Sequence, residues 1–263
     1  NAYATTDSIG GVSRFDGSTW EHWNIANTGG DLLENDIQDI EVAPDGKVWI
    51  ATGFDAPIDS ISAVLYYFDT DDERWHRVGR EGGLPGWWYR DIEFDSEGNL
   101  WASNNRDHIA MYDGHYWRRY EYIDLFGYPH GSMMDFCIDE MDHLWGNLWG
   151  LDTLFEFCEV LYNTYWLDTT DAPPPPPSPT GVGVNNIILY SPGEFYSAAK
   201  NGIHHFAHGV DRKLGVEDGF PDGDFSAWGV AKDSHGDIWC AFEDCIVAFN
   251  GDSVVIIDST SYG

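Results

Sequence analysis

Positive charge is scarce. Of 263 residues only 13 are lysine or arginine, against 45 aspartates and glutamates, and the formal net charge is −32. A surface this negative repels nucleic acid and anionic lipid, which removes both as partners. It suits a solvated exterior in salty or extracellular surroundings, and it attracts divalent cations or cationic partners. No run of 18 or more apolar residues occurs, so no membrane insertion is expected. No signal peptide is visible, which fits a chain already processed. Cysteine is sparse: the four, at 137, 158, 240 and 245, lack the CxxC spacing of a zinc site. There is no glycine-rich phosphate loop, no Ser-His-Asp order, no nucleophile motif and no convincing amphipathic helix.

What the chain does contain is a repeat. Asp39 to Trp49, Asp91 to Trp101, Asp135 to Trp145 and Gly229 to Trp239 share one pattern. Each reads as a short apolar strand, a polar turn, and a second strand whose early Trp follows an aliphatic residue. Two copies are degenerate. Ile187 to Tyr196 has Tyr in place of Trp, and Asn1 to Thr6 keeps only the second half. The marker aromatics fall at 3, 49, 101, 145, 196 and 239, a spacing of 43 to 52 residues. Strand-length units at that period point to a propeller, whose blades pack radially because one blade cannot bury both its faces alone. A composition 43% hydrophobic and 16% aromatic supports a large core and argues against disorder.

The expected fold is therefore all-β: a six-bladed β-propeller of four-stranded antiparallel blades, with the first blade incomplete. It forms one domain over 1–263, with blades near 1–26, 27–80, 81–122, 123–170, 181–218 and 219–263. The third blade shows the parse: Tyr89 to Phe94, Asn99 to Ser103, His108 to Tyr112 and Tyr116 to Tyr120. The pair Asp113-Gly114 makes a tight hairpin turn, because Gly accepts positive φ. Pro173 through Pro177, then Ser178 and Pro179, cannot join a ladder. The segment 171–180 is read as an insertion between the fourth and fifth blades; a linker and a proline ligand for a partner domain are the other readings.

Gly83-Leu84-Pro85-Gly86-Trp87-Trp88-Tyr89-Arg90-Asp91-Ile92, followed by Asp95 to Trp101, resembles the two-component regulator propeller repeat. So do Gly219-Phe220-Pro221 leading to Trp239, Gly127-Tyr128-Pro129 leading to Trp145, and Leu33 to Ile37 leading to Thr52. Phe15 to Trp20 and Tyr112 to Trp117 match its closing half. The resemblance covers essentially the whole chain. It implies extracytoplasmic sensor regions of bacterial hybrid kinases, or secreted and surface proteins. Those sensors usually carry more blades and continue into a membrane helix and signalling domains. The resemblance extends to propeller lyases, although no catalytic motif matches residue by residue.

Candidate binding residues are Trp87, Trp88 and Tyr89, in the loop entering the third blade, where exposed aromatics suit sugars or protein partners; packing between blades is the competing reading. Arg90, Asp36, Asp91 and Asp135 fall near the starts of inner strands. Carboxylates there could serve as acid and base, but no spacing tests it. His204 and His208 share a strand face roughly 13 Å apart, at about 3.3 Å per residue, too far for one metal; the cluster is read as a solvated third strand. The Asp-rich turns at 69–72, 95, 139–142 and 233–237 are too short to cage calcium, so turn chemistry explains them and only weak Ca²⁺ binding is expected. No metal site or other cofactor is expected.

Cys240 and Cys245 flank a four-residue connection between strands, and a disulfide between them is expected. Cys137 and Cys158 are a weaker pairing, since they fall on the first and third strands of one blade. An even cysteine count fits an oxidising compartment. The sequence thus leads to a secreted or surface-exposed, non-enzymatic module that self-assembles into filaments. An extracellular ligand- or glycan-binding sensor propeller is the alternative, and a propeller lyase or hydrolase the second. The partners expected are other copies of itself, a glycan or another protein, in an extracellular or cell-surface setting, with the periplasm as alternative.

Overall fold

Many of the described hairpins turn on a residue at positive φ, among them Gly17, Gly98, Gly114 and Gly236. The computed structural model describes residues 2–5, 10–53, 64–86, 88–122, 133–139, 141–148, 154–158, 184–191, 194–207, 210–221, 226–251 and 253–258. The proline-rich stretch at 171–180 and His208 lie outside them, as does Trp87. The chain divides into two compact units, Asn1–Met133 and Met134–Gly263.

In the first unit, β1 (Ala2–Thr5), β2 (Val12–Phe15) and β3 (Trp20–Trp23) form a three-stranded sheet. It is followed by a four-stranded sheet of β4 (Ile37–Val42), β5 (Val48–Thr52), β6 (Leu65–Asp69) and β7 (Arg74–Val78). A second one contains β8 (Tyr89–Phe94), β9 (Leu100–Asn104), β10 (His108–Tyr112) and β11 (Trp117–Glu121). In the second unit, β12 (Met133–Ile138), β13 (His143–Leu148) and β14 (Leu154–Cys158) form a sheet of three among the described residues. Two four-stranded sheets complete it. One has β15 (Val184–Ser191), β16 (Glu194–Ala199), β17 (Gly202–Ala207) and β18 (Val210–Lys213). The other has β19 (Ala227–Lys232), β20 (Ile238–Phe242), β21 (Cys245–Phe249) and β22 (Val254–Asp258). All pairings are antiparallel between sequence neighbours.

The repeat's polar turn has a physical cause. Asp95 Oδ1 accepts the amides of Glu97 and Asn99, and its Oδ2 accepts the Trp101 indole N–H at 2.9 Å. Asp139 does the same for Met141, His143 and Trp145, and Asp233 for His235, Asp237 and Trp239. One carboxylate thus closes the turn and orients the marker Trp six residues on. The turn requires positive φ at its fourth residue, supplied by Gly98, Gly236, Gly46 and, in one copy, Asp142 at 61°. These aspartates are consumed by local bonds, which agrees with the turn-chemistry reading.

The marker Trp residues occupy equivalent second-strand positions. Trp49, Trp101 and Trp145 are buried, but Trp239 is 37% exposed, against the expectation that all four would be covered. The Gly-apolar-Pro phrase also has a role. Gly83 and Gly219 each follow a single 3-10 turn with φ of 87° and 89°, and Leu84 and Phe220 then drop into the core.

The cysteine expectation is corrected. Cys137, Cys240 and Cys245 are thiols, not half-cystines. Cys240 pairs with Val247, not with Cys245, whose ladder partner is Asp258. The two are diagonal across the hairpin, where Cβ atoms stand well beyond disulfide reach. Cys137 and Cys158 are separated by β13, and the Cys158 side chain lies outside the described residues.

Candidate functional site

The inner strands carry the charged residues singled out in the sequence, and each of β4, β8, β15 and β19 has a β-bulge near its start. The skipped residues are Gln38, Arg90, Asn185 and Trp228, which the bulge turns out of the ladder. After two of these bulges, in β4 and β15, the next residue reaches the following sheet. Asp39 Oδ2 accepts the Ile92 amide at 2.9 Å. Asn186 Oδ1 accepts the Val230 amide at 2.6 Å. At the corresponding place in β12, Asp135 accepts the Ile187 amide and, at 2.8 Å, the Asn186 side-chain N–H. The shared rule is that this position accepts the backbone N–H one residue further along in the following sheet. Sheets are thereby stitched edge to edge by carboxylates and an amide.

Within the first unit these groups interact. The Asp39 carboxyl hydrogen-bonds to Asp91, and its pKa is raised, because burial outweighs the hydrogen bonds from Asp91 and from the Ile92 amide. Glu41, on the same strand, is pushed up to about 6 by burial and by the charge of Asp39. Asp36 is half-buried and accepts the Gln38 amide N–H at 2.9 Å. Burial draws the Arg90 pKa down, and Asp36 opposes that shift. The structure therefore brings Asp36, Arg90 and Asp91 into one acidic neighbourhood, joined by Asp39 and Glu41. Asp135 belongs to the second unit. Asp39 was legible in the sequence as the head of the first full repeat, the position held by Asp91 and Asp135.

The loop entering β8 is held from below. Trp88 has φ of 68°, and its carbonyl accepts the Asn105 amide at 3.0 Å and the Asn104 side-chain N–H. Tyr89 is fully buried, its hydroxyl donating to the Pro85 carbonyl. Burial drives its pKa far up. His108, 1% exposed, bonds Asp107 through Nδ1 at 2.6 Å and lies 3.1 Å from the Pro85 oxygen through Nε2. Desolvation lowers its pKa and Asp107 opposes that. Arg119 continues the chain to Asp107 at 3.2 Å and Glu121 at 2.6 Å. Tyr89 and His108 thus support the loop and are sealed from solvent.

The histidine cluster is also corrected. His204 is buried rather than solvated and bonds Asn201 Oδ1 at 2.9 Å. His205, on the other face, stacks on Tyr196 at 4.4 Å and bonds Glu194 at 2.7 Å.

An open concavity of about 660 Å³ lies between the sheet β4–β7 and the sheet β8–β11. One wall is aromatic: Trp49 packs on Tyr67 at 5.1 Å, and Tyr67 is in turn backed by His76, stacked on it at 5.0 Å and 17°. Opposite stand Tyr112 and Trp117, stacked at 4.9 Å and 26°. Phe94, Leu100 and Val78 make the apolar floor. The two cations at its rim are already paired, Lys47 with Asp45 at 2.6 Å and Arg77 with Glu81 at 3.1 Å. No sequence motif announced this groove, since its walls come from alternate residues of strands in two repeats.

No family model matches the chain, and no curated protein matches it either. Solved structures do. A catalytically inactive variant of virginiamycin B lyase from Staphylococcus aureus, solved with quinupristin, is 14% identical, with a TM-score of 0.64 over 90% of this chain and 72% of that one. YCF48 bound to a D1 peptide is 14% identical, with a TM-score of 0.60 over 96% of this chain and 76% of that one. PorZ, a surface component of the type-IX secretion system of Porphyromonas gingivalis, is 11% identical, with a TM-score of 0.59 over 98% of this chain and 37% of that one. At these identities the likeness establishes the fold: an all-β propeller with four-stranded antiparallel sheets.

Proposed function

We propose that this chain is a non-enzymatic, ligand-binding propeller of six blades, secreted or displayed at the cell surface, and that its ligand is an uncharged saccharide held in the groove between β4–β7 and β8–β11. The observation that carries this reading is the pair of aromatic walls, Trp49–Tyr67 and Tyr112–Trp117, facing one open concavity. A sugar ring presents an apolar C–H face to an aromatic plane and hydroxyls at its edge, and a volume of about 660 Å³ lies in the usual range for such sites. The electrostatics argue against an anionic ligand. The rim cations are neutralised by Asp45 and Glu81, and a net charge of −32 repels anions.

Catalysis has less support. The inner-strand carboxylates Asp39 and Asp135 each already accept a backbone amide of the next sheet. A surface location rests on the acidic exterior and on the likeness to PorZ, itself a bacterial surface component. A peptide ligand is the second reading, since the similar propeller YCF48 is one bound to a peptide.

Titration calorimetry against a panel of neutral oligosaccharides tests this. A member of the panel should bind, and Tyr67→Ala or Trp117→Ala should each weaken it by about tenfold or more, the equivalent of about 1.4 kcal/mol. Absence of heat across the panel, or affinities untouched by both substitutions, overturns the saccharide assignment. Binding of extended peptides instead supports the second reading.

A further inference from the structure

The first full repeat departs from the others at one side chain. In three repeats the turn aspartate accepts the indole N–H of the Trp six residues on: Asp95 from Trp101 at 2.9 Å, Asp139 from Trp145 at 2.9 Å, and Asp233 from Trp239 at 3.1 Å. Six residues before Trp49 stands Ala43, which has no acceptor to offer. The backbone of the turn is nevertheless the same. The Ala43 amide donates to the Lys47 carbonyl and the Gly46 amide to the Ala43 carbonyl, both at 2.8 Å. In the same way the Asp95 amide donates to Asn99 and the Gly98 amide to Asp95, at 3.1 and 3.0 Å. Asp45 takes over the Lys47 amide at 3.0 Å, a bond that Asp95 makes to Asn99 in its own turn.

The indole is not taken over. Trp49 is 8% exposed, and among the described residues its N–H has no acceptor. An indole N–H can only donate, and a donor left unmet inside a protein is unfavourable. Ala43 and Trp49 both line the groove between β4–β7 and β8–β11. The unmet donor thus borders the groove at the place that a carboxylate fills in the other repeats.

The surroundings decide which acceptor suits it. Ala43, Pro44, Phe94 and Leu100 give apolar surface, while Asp45 and Glu81 at the rim and a net charge of −32 oppose an anion. A hydroxyl offers an oxygen but no apolar end. An acetamido group offers both: its carbonyl oxygen meets the N–H, and its methyl packs on Ala43 and Pro44. We propose that Trp49 is the specificity-determining residue of the groove, and that the saccharide bound there is N-acetylated, its acetamido carbonyl accepting the Trp49 indole N–H. This rests on the saccharide reading of the groove and narrows it.

Calorimetry with two probes of equal length and linkage tests it: N-acetylglucosamine oligosaccharides, and glucose oligosaccharides with a hydroxyl in place of the acetamido group. The N-acetylated chain should bind at least about tenfold tighter, as expected where a site is built around one hydrogen bond. Trp49→Phe keeps a ring, removes the N–H, and should bring the two affinities together. Ala43→Asp installs the carboxylate of the other repeats; it should raise the melting temperature and abolish binding of the N-acetylated chain. A residue that served the fold alone would not move stability and binding in opposite directions. Circular dichroism confirms that both variants fold. Equal affinities for the two probes overturn the acetamido assignment and leave the saccharide reading standing. Heat from neither probe also overturns it, and the saccharide reading falls too if the other neutral oligosaccharides are silent. A preference that persists in Trp49→Phe, or binding unweakened in Ala43→Asp, overturns the role of Trp49.

Discussion

The carboxyl group of Asp39 is hydrogen-bonded to the carboxyl group of Asp91. Two carboxylates make that bond only if one keeps its proton, and burial supplies the reason to keep it. The pair joins neighbouring sheets together with the Ile92 amide, and Glu41 lies within reach of its charge.

Stability of the first unit should therefore fall as pH rises from 4.5 to 6. The folded pKa of Glu41, about 6, exceeds the ordinary 4.5, so the folded state holds more protons in that window and deprotonation opposes folding. A displacement of that size corresponds to roughly 2 kcal/mol, and the upward shift of Asp39 acts in the same direction. Glu41→Gln should remove much of this slope. Thermal melts of both proteins at pH 5 and pH 7 read it directly; a wild-type melting temperature that rises with pH contradicts the assignment.

The turn aspartates differ in burial, and so should their substitutions. Asp95→Ala leaves two turn amides and the buried Trp101 indole N–H without their acceptor, which should cost about 2–4 kcal/mol. Asp233→Ala does the same around a Trp239 that reaches solvent, where water substitutes, and should cost less than about half of that. Urea unfolding of the two variants ranks them; equal costs would mean that the indole bond contributes nothing.

These two positions also mark how far the sequence could be read. The strand–turn–strand unit was legible because apolar alternation and the turn Asp are local, and the parse of β8 to β11 from Tyr89 to Glu121 follows from it. Which Trp is covered was not legible. Trp101 and Trp239 sit in the same local phrase, and their exposure depends on what lies across the sheet face. Likewise Asp91 and Asp135 were visible as inner-strand acids, but their engagement with neighbouring sheets depends on packing between repeats, and for Asp91 on a bulge that shifts the register by one residue. The groove was invisible for the same reason, since Tyr67 and Tyr112 come together only through packing of two repeats. The cysteine expectation failed on register: sequence proximity of 240 and 245 says nothing of a diagonal offset.

Thiol reactivity should separate the cysteines. Burial pushes the Cys240 thiol up to about 12, so almost no thiolate exists at neutral pH. Cys245 is raised by burial first and then by Asp244 and Asp258, but it is partly exposed. Iodoacetamide on the native protein, followed by peptide mass spectrometry, should label Cys245 slowly and leave Cys240 unmodified until denaturant is added. A disulfide-linked peptide containing both would contradict the register reported for β20 and β21.

Glu73 closes the β6–β7 hairpin with φ of 58°, in the left-handed region that non-glycine residues enter at a cost. The hairpins between β2 and β3, β10 and β11, and β21 and β22 place their positive φ at the second residue of the connection, on Gly17, Gly114 and Gly251, whereas Glu73 is the fourth residue of its own. Glycine relieves the clash of Cβ with the following carbonyl, and the gain is partly offset because glycine also loosens the unfolded chain. Glu73 is exposed and close in sequence to Asp69, Asp71 and Asp72, so removing its charge also reduces local repulsion. Glu73→Gly should therefore raise stability by about 0.5–1 kcal/mol, measured as a higher urea midpoint at unchanged slope. A lower midpoint would show that the left-handed conformation at this turn is set by something other than the hairpin geometry.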